Sequence, residues 1–374
     1  MSIVIGVLKS PDPAERRVAL VPDVAKKFRQ LGADIVIQRG ATDGANCKES
    51  DFADAKWVDS ADDILSSADC VLSVDTLDEA AIGKLKSGAV LLGMLQPYAS
   101  AARVKQLQEK QVTSFAMELL PRISRAQSMD ILSSQAACSG YQCVLIAASH
   151  CPKFFPMLTY AAGTIRPARV LVIGAGVAGL QAVATAKRLG AMVFAYDVRP
   201  ETREQIESLG AKFVDTGVSA AGTGGYAREL TEDEKRQQAE KLGKAIADAD
   251  VLITTAAIPG KRAPQIVSAE MVAGMKQGAV VVDMAAESGG NVAGTVAGQN
   301  VQVGPALIIG PTHLPSRMAV HASEMFSKNI FNFIGGMIKD GQMTLDWQDE
   351  VLAGACLTHA GEVRHAMVKQ VLGL

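Results

Sequence analysis

Val170-Leu171-Val172-Ile173 runs directly into Gly174-Ala175-Gly176-Val177-Ala178-Gly179 and on into a helix-forming segment, Leu180 to Leu189. A strand that turns straight into a helix through Gly-x-Gly-x-x-Gly leaves few architectures open. Gly174 permits the tight turn, Gly176 lets a pyrophosphate approach the backbone, and Gly179 lets helix and strand pack closely, with the phosphates at the helix N-terminus. Taken alone, the motif also fits a glycine-rich helix packed tightly on a sheet. Here a second strand, Met192 to Tyr196, ends in Asp197, 18 positions after Gly179. A carboxylate at that place can accept hydrogen bonds from an adenosine ribose. Its charge repels a 2′-phosphate and favours NAD over NADP, while Arg199, two residues on, opposes that preference.

The rest of the chain repeats the alternation. Ile3 to Val7, Ile35 to Ile37, Cys70 to Val74, Ala89 to Leu92 and Val112 to Ala116 read as strands; Asp23 to Leu31, Asp78 to Leu85 and Ser100 to Lys110 read as helices. Beyond the glycine turn, Val251 to Ile253 and Ala279 to Val282 are further strands. Short apolar strands separated by helices indicate parallel sheets covered on both faces. Ser67-Ala68-Asp69-Cys70-Val71-Leu72 parallels Asp248-Ala249-Asp250-Val251-Leu252, so the halves look related. The predicted fold is α/β, with two Rossmann-like doubly wound parallel-sheet domains separated by a cleft and linked by long helices. The 374 residues suffice for two such domains. The expected division is 1–132 plus 315–374 for the first and 133–314 for the second, with Asp130 to His150 and the apolar segment from Ser316 through Phe333 as the linking helices.

Charge and cysteine content narrow the classes. With 37 Lys+Arg against 39 Asp+Glu, there is no basic footprint for a nucleic-acid backbone. Six cysteines, at 47, 70, 138, 143, 151 and 356, include no Cys-x-x-Cys pair and no cluster at zinc spacing. They read as buried or incidental thiols, and no metal is expected. The first residues do not resemble a secretory leader, and the uncharged stretches Val170 to Ala186 and Ile131 to Ser149 fall short of a membrane span, which needs roughly 20 predominantly apolar residues. His313 and His321 read as loop and helix surface residues.

Two further segments are candidates for function. Thr216 to Thr231, through Gly222-Thr223-Gly224-Gly225-Tyr226, is long for a connection; it reads either as a lid, with Tyr226 the large side chain that covers a nucleotide, or as a solvated excursion. Arg122-Ile123-Ser124-Arg125-Ala126-Gln127-Ser128-Met129-Asp130-Ile131-Leu132-Ser133-Ser134-Gln135 is dense in donors and acceptors where the cleft should open. Its plain alternative is helix capping, with Ser128 as the N-cap and the arginines solvated.

That last segment, with Met117 to Pro121 before it, resembles the NAD(H)-binding component of proton-translocating nicotinamide nucleotide transhydrogenases. Glu15-Arg16-Arg17-Val18-Ala19-Leu20, Gly174 to Lys187, Gly224 to Ala227, Ile258-Pro259-Gly260-Lys261 and Leu314-Pro315-Ser316-Arg317 extend the likeness over essentially the whole chain. Leu8-Lys9-Ser10 departs from the family's usual Pro-Lys-Glu. The resemblance implies direct hydride transfer from NADH to NADP held by a partner subunit, coupled to proton translocation. It implies that Gln127 reaches toward the partner-bound NADP; that Arg122, Asp130 and Ser133 orient the nicotinamide carboxamide and ribose; and that Tyr226 closes over the NAD. Ser128, Met129, Val177, Val198, Gly225, Gln238 and Ala257 fall at matching nucleotide-contact positions. It further implies a homodimer, peripheral on the cytoplasmic face of a bacterial membrane and held by a membrane-spanning subunit and an NADP(H)-binding domain. The rival is an alanine dehydrogenase on the same scaffold. That family uses a lysine and a histidine on the substrate, and Ser73 and Gln96 stand where these are expected. Arg17 matches, but a guanidinium stays protonated and cannot be the base.

Overall fold

The computed structural model describes residues 2–220, 228, 230–257, 260 and 262–374. The chain divides into two compact units, Met1–Gln135 with Pro315–Leu374, and Ala136–Leu314.

The first unit is built on an eight-stranded sheet. Its six parallel strands lie in the spatial order Thr113–Ala116, Val90–Gly93, Cys70–Ser73, Val4–Val7, Asp34–Gln38 and Lys56–Val58. Cys356–His359 and Glu362–Val363 extend it antiparallel beyond Thr113–Ala116. Cys70–Ser73 and Val90–Gly93 are buried at every position, as strands covered on both faces require. Helix Pro22–Gln30 starts with a proline in its first turn, where no intrahelical N–H is lost, and turns into the next strand through Gly32 at φ +85°. Phe28, Phe115, Phe326 and Ile330 meet in the core on one face of this sheet.

The second unit carries a seven-stranded sheet in the order Lys212–Phe213, Met192–Tyr196, Arg169–Ile173, Val251–Thr254, Ala279–Asp283, Ala306–Ile309 and Asn300–Val303; only the last pairs antiparallel. Each sheet places its first strand beside its fourth, the order reversal at which such folds bind ligands at the strands' carboxyl ends. In the second unit that point lies between Arg169–Ile173 and Val251–Thr254.

Helix Ile131–His150 is, among the described residues, the one helix long and apolar enough to cross a membrane by length and composition. This corrects the reading that the segment fell short of a span. Its Cys143, Val144 and Ala147 are buried in the second unit's core. Small apolar residues make it span-like in composition and also let it pack closely as a core helix. All six cysteines are free thiols, and burial pushes those of Cys70 and Cys356 up to about 12.

Candidate functional site

The glycine turn of the second unit has the geometry its sequence calls for. Gly174 sits at φ +94°, and a Cβ there would stand 2.6 Å from Thr255 Oγ1. A Cβ on Gly179 would lie 1.8 Å from the Gly174 carbonyl oxygen, so no side chain fits where helix meets strand. Gly176 differs: the nearest atom to a Cβ there is Arg199 Nη2, at 3.9 Å. Helix Val177–Arg188 begins immediately after it, with Val177 45% exposed. Room beside a glycine at a helix N-terminus fits a pyrophosphate. Helix Ile131–His150 closes the back of this element, because a Cβ on Gly140 would come within 2.0 Å of the Ala178 carbonyl oxygen.

Asp197 follows strand Met192–Tyr196 and turns toward the glycine loop, accepting from the Ala175 N–H at 2.7 Å. The Arg199 guanidinium lies against the same carboxylate, Nε to Oδ1 at 2.9 Å and Nη2 to Oδ2 at 2.8 Å. The expected repulsion of a 2′-phosphate by Asp197 is therefore offset by a paired cation. Val198 is half-buried and its carbonyl accepts from Ala220 N–H at 2.8 Å. Gln238, on helix Glu232–Ala247, donates through Nε2 to the Tyr196 hydroxyl at 2.7 Å. Gly225 and Tyr226, with most of the expected lid, and Ile258, Pro259 and Lys261 lie outside the described residues.

Sequence reasoning missed a network under the exposed Ala257. The fully buried Asn291 accepts from Ala256 N–H at 3.0 Å and donates through Nδ2 to the carbonyls of Ala256 and Pro264, each at 2.8 Å. Asn291 is itself held by its backbone N–H on Asp283 Oδ2 at 2.7 Å. The buried Asp283 also accepts from Thr254 and Thr295 hydroxyls and from the amides of Ala285 and Val292. One carboxylate and one amide thus fix the loop at the end of strand Val251–Thr254. The signal was Gly289-Gly290-Asn291 after a strand ending in aspartate: Gly289 and Gly290 have φ of +103° and +78°, which only glycine adopts readily.

In the first unit, Gln127 and Ser128 are exposed on a short 3-10 segment, Ser124–Met129, and Met129 and Asp130 are half-buried. The helix cap is Asp130 rather than Ser128: Asp130 Oδ1 accepts from Ser133 N–H at 3.0 Å and Oδ2 from its hydroxyl at 2.6 Å. The Ser128 carbonyl is instead gripped by Asn329 and Asn332, each donating at 2.9 Å from helix Ala319–Ile334. Arg122 is exposed, and Arg125 pairs with Asp349.

Arg17 makes a bidentate pair with Glu15 and reaches Gln135 Oε1 at 2.9 Å. Gln96 stands at φ +47°, its amide held by Glu118 Oε1 at 2.7 Å. Ser73 donates to the carbonyl of Asp75 at 2.5 Å. Asp75 itself, passed over in the sequence, is a carboxyl raised above its ordinary range by burial, against the lowering effect of its bond from the Ser10 hydroxyl. The missing lysine and histidine therefore do not leave this strand end without a titratable group, and relatives rather than that absence must separate the two readings. Among the described residues, no cluster suits a metal ion.

Two doubly wound sheets, one with a glycine turn of the dinucleotide type, define the class. The chain belongs to the alanine dehydrogenase/PNT family, whose N-terminal domain matches residues 6–139 and whose C-terminal domain matches residues 143–366. It is 44% identical to an NAD(P) transhydrogenase subunit alpha polypeptide of Rhodospirillum rubrum over 376 aligned positions, covering 96% of this chain and 97% of that one. The structure of a transhydrogenase from Sinorhizobium meliloti superposes with a TM-score of 0.85 at 40% identity, covering 97% of this chain and 99% of the other. An alanine dehydrogenase of Mycobacterium tuberculosis is more distant, 30% identical across 76% of this chain and 73% of its own. Transhydrogenase alpha subunits are thus its near relatives, and alanine dehydrogenases stand further off.

Proposed function

We propose that this chain is the NAD(H)-binding alpha subunit of a proton-translocating transhydrogenase, passing a hydride from NADH to NADP+ held by a partner domain. The observation that carries the reading is the glycine turn with Asp197, in a chain aligned end to end with a transhydrogenase alpha subunit.

NADH, when bound, supplies the hydride. Gly174, Gly176 and Gly179 admit the pyrophosphate, Asp197, Val198 and Arg199 take the adenosine end, and Val177, Gln238 and Ala257 complete the nucleotide contacts, with Gly225 and Tyr226 covering them. Ser128, Met129, Asp130 and Ser133 orient the nicotinamide end with Arg122, while Gln127 aligns the ring with the partner's NADP. Transfer between two nicotinamides needs no base at the reacting carbons, only alignment and exclusion of water. Support for this division is physical: the nucleotide turn cannot accept side chains, and the Gln127 segment is pinned from behind by Asn329 and Asn332 while its own side chain is exposed.

The subunit works as a homodimer, peripheral on the cytoplasmic face of a membrane and held by a membrane-spanning subunit. An exposed apolar hairpin, Leu158–Tyr160 with Gly163–Ile165, favours self-association: Met157 is 62% and Tyr160 70% exposed. The test mixes the chain with an NADP(H)-binding transhydrogenase domain and follows reduction of an NADP analogue by NADH. Turnover is expected only with both proteins present; pyruvate- and ammonia-dependent NADH oxidation by the chain alone would favour alanine dehydrogenase chemistry instead.

A further inference from the structure

A carboxylate offers about four lone-pair directions, and at Asp197 four protein donors take them. Oδ1 accepts from the backbone N–H and Nε of Arg199, each at 2.9 Å; Oδ2 accepts from Ala175 N–H at 2.7 Å and Arg199 Nη2 at 2.8 Å. The pair is largely out of water, with side chains 8% and 17% exposed. The two amides belong to tight turns and cannot yield without moving the backbone. The Arg199 side chain is the part able to move, and its Nη2 already stands beside Gly176.

We propose that Arg199 sets the nucleotide specificity of this site, by occupying the face of Asp197 that an adenosine ribose needs and giving it up when the ribose arrives. The inference rests on the NAD(H) reading above. A ribose hydroxyl bonds to Asp197 only by displacing Nε or Nη2. The displaced guanidinium stays within reach of the 2′ position, where its charge offsets the repulsion that Asp197 alone exerts on a 2′-phosphate. Preference for NADH over NADPH is then smaller than a lone aspartate would give, and Arg199 controls how much smaller.

The test titrates the full chain with NADH and NADPH, and with 5′-AMP and 2′,5′-ADP to isolate the adenosine end, reading the ratio of dissociation constants within each pair. In Arg199→Ala the ratio rises at least about tenfold in favour of NADH and 5′-AMP, one opposing charge at close range being worth about that much. Arg199→Lys, which keeps the charge but not the fork, stays within about threefold of the parent. Asp197→Asn moves the ratio at least about tenfold the other way, and decides the matter if Arg199→Ala does not fold. A change below tenfold in a folded Arg199→Ala or Asp197→Asn chain that still binds NADH overturns the role of Arg199. Failure of the parent chain to bind NADH at all counts instead against the NAD(H) reading.

Discussion

At the scale of single residues, legibility followed how local the physical demand is. Gly174, Gly179 and Asp197 could be read directly because their constraint lies within one turn: a backbone angle, a close carbonyl, a carboxylate at a strand end. Asn291 could not, because its partners Ala256 and Pro264 are 35 and 27 positions away and only the fold brings them together. Asn291→Ala removes three bonds at once and leaves buried backbone groups unpaired. It is expected to lower stability by about 1–3 kcal/mol and to weaken NADH binding about tenfold through the displaced Ala256 loop, as thermal unfolding and NADH titration would reveal. Gln127→Asn is the converse case. Its side chain is exposed and its backbone is held by neighbours, so NADH binding should be nearly retained. Hydride transfer in the reconstituted pair should fall about 10- to 100-fold, the size of effect that a misplacement near 1 Å produces. Lost NADH affinity with unchanged turnover would remove Gln127 from the alignment role.

At the scale of elements, buried parallel strands and their helices were readable because continuous apolar runs have few other uses. The edge strand Asn300–Val303 was not: its residues alternate between exposed and half-buried, and its polar composition carries little strand signal. The cap of helix Ile131–His150 was assigned two residues early, because Ser128 and Asp130 are both good caps and only the grip of Asn329 and Asn332 on the Ser128 carbonyl separates them. A second capped element allows a pH prediction. Asp349 caps helix Glu350–Ala355, and the Arg125 guanidinium, bonded at 2.8 and 2.5 Å, holds its carboxyl down to about 2. That lies below the unfolded value near 3.9. The pair's contribution to stability is therefore present above about pH 4 and is lost as pH falls through about 2. Arg125 is half exposed, so solvent screening keeps the effect small. Melting temperatures of the parent and Arg125→Ala should differ at pH 6 and converge toward pH 2; a gap undiminished at pH 2 would show that Arg125 acts through packing.

At the scale of the whole molecule, the alternation of strands and helices disclosed two related doubly wound sheets, while the choice between chemistries rested on resemblance. Position-by-position reasoning about a missing base proved too narrow, since Asp75 supplies a raised carboxyl beside Ser73. End-to-end similarity to a transhydrogenase alpha subunit separates the readings better. Chemistry then follows from what the site does not need: two nicotinamides held in contact exchange a hydride without a proton leaving for water. The direct test uses NADH carrying deuterium at the transferred C4 position, mixed with this chain and an NADP(H)-binding partner domain in ordinary water. We predict that the deuterium appears in the NADPH formed, without dilution by solvent hydrogen. Deuterium lost to water, or no transfer from a folded pair with both nucleotides bound, would contradict direct hydride transfer at this site.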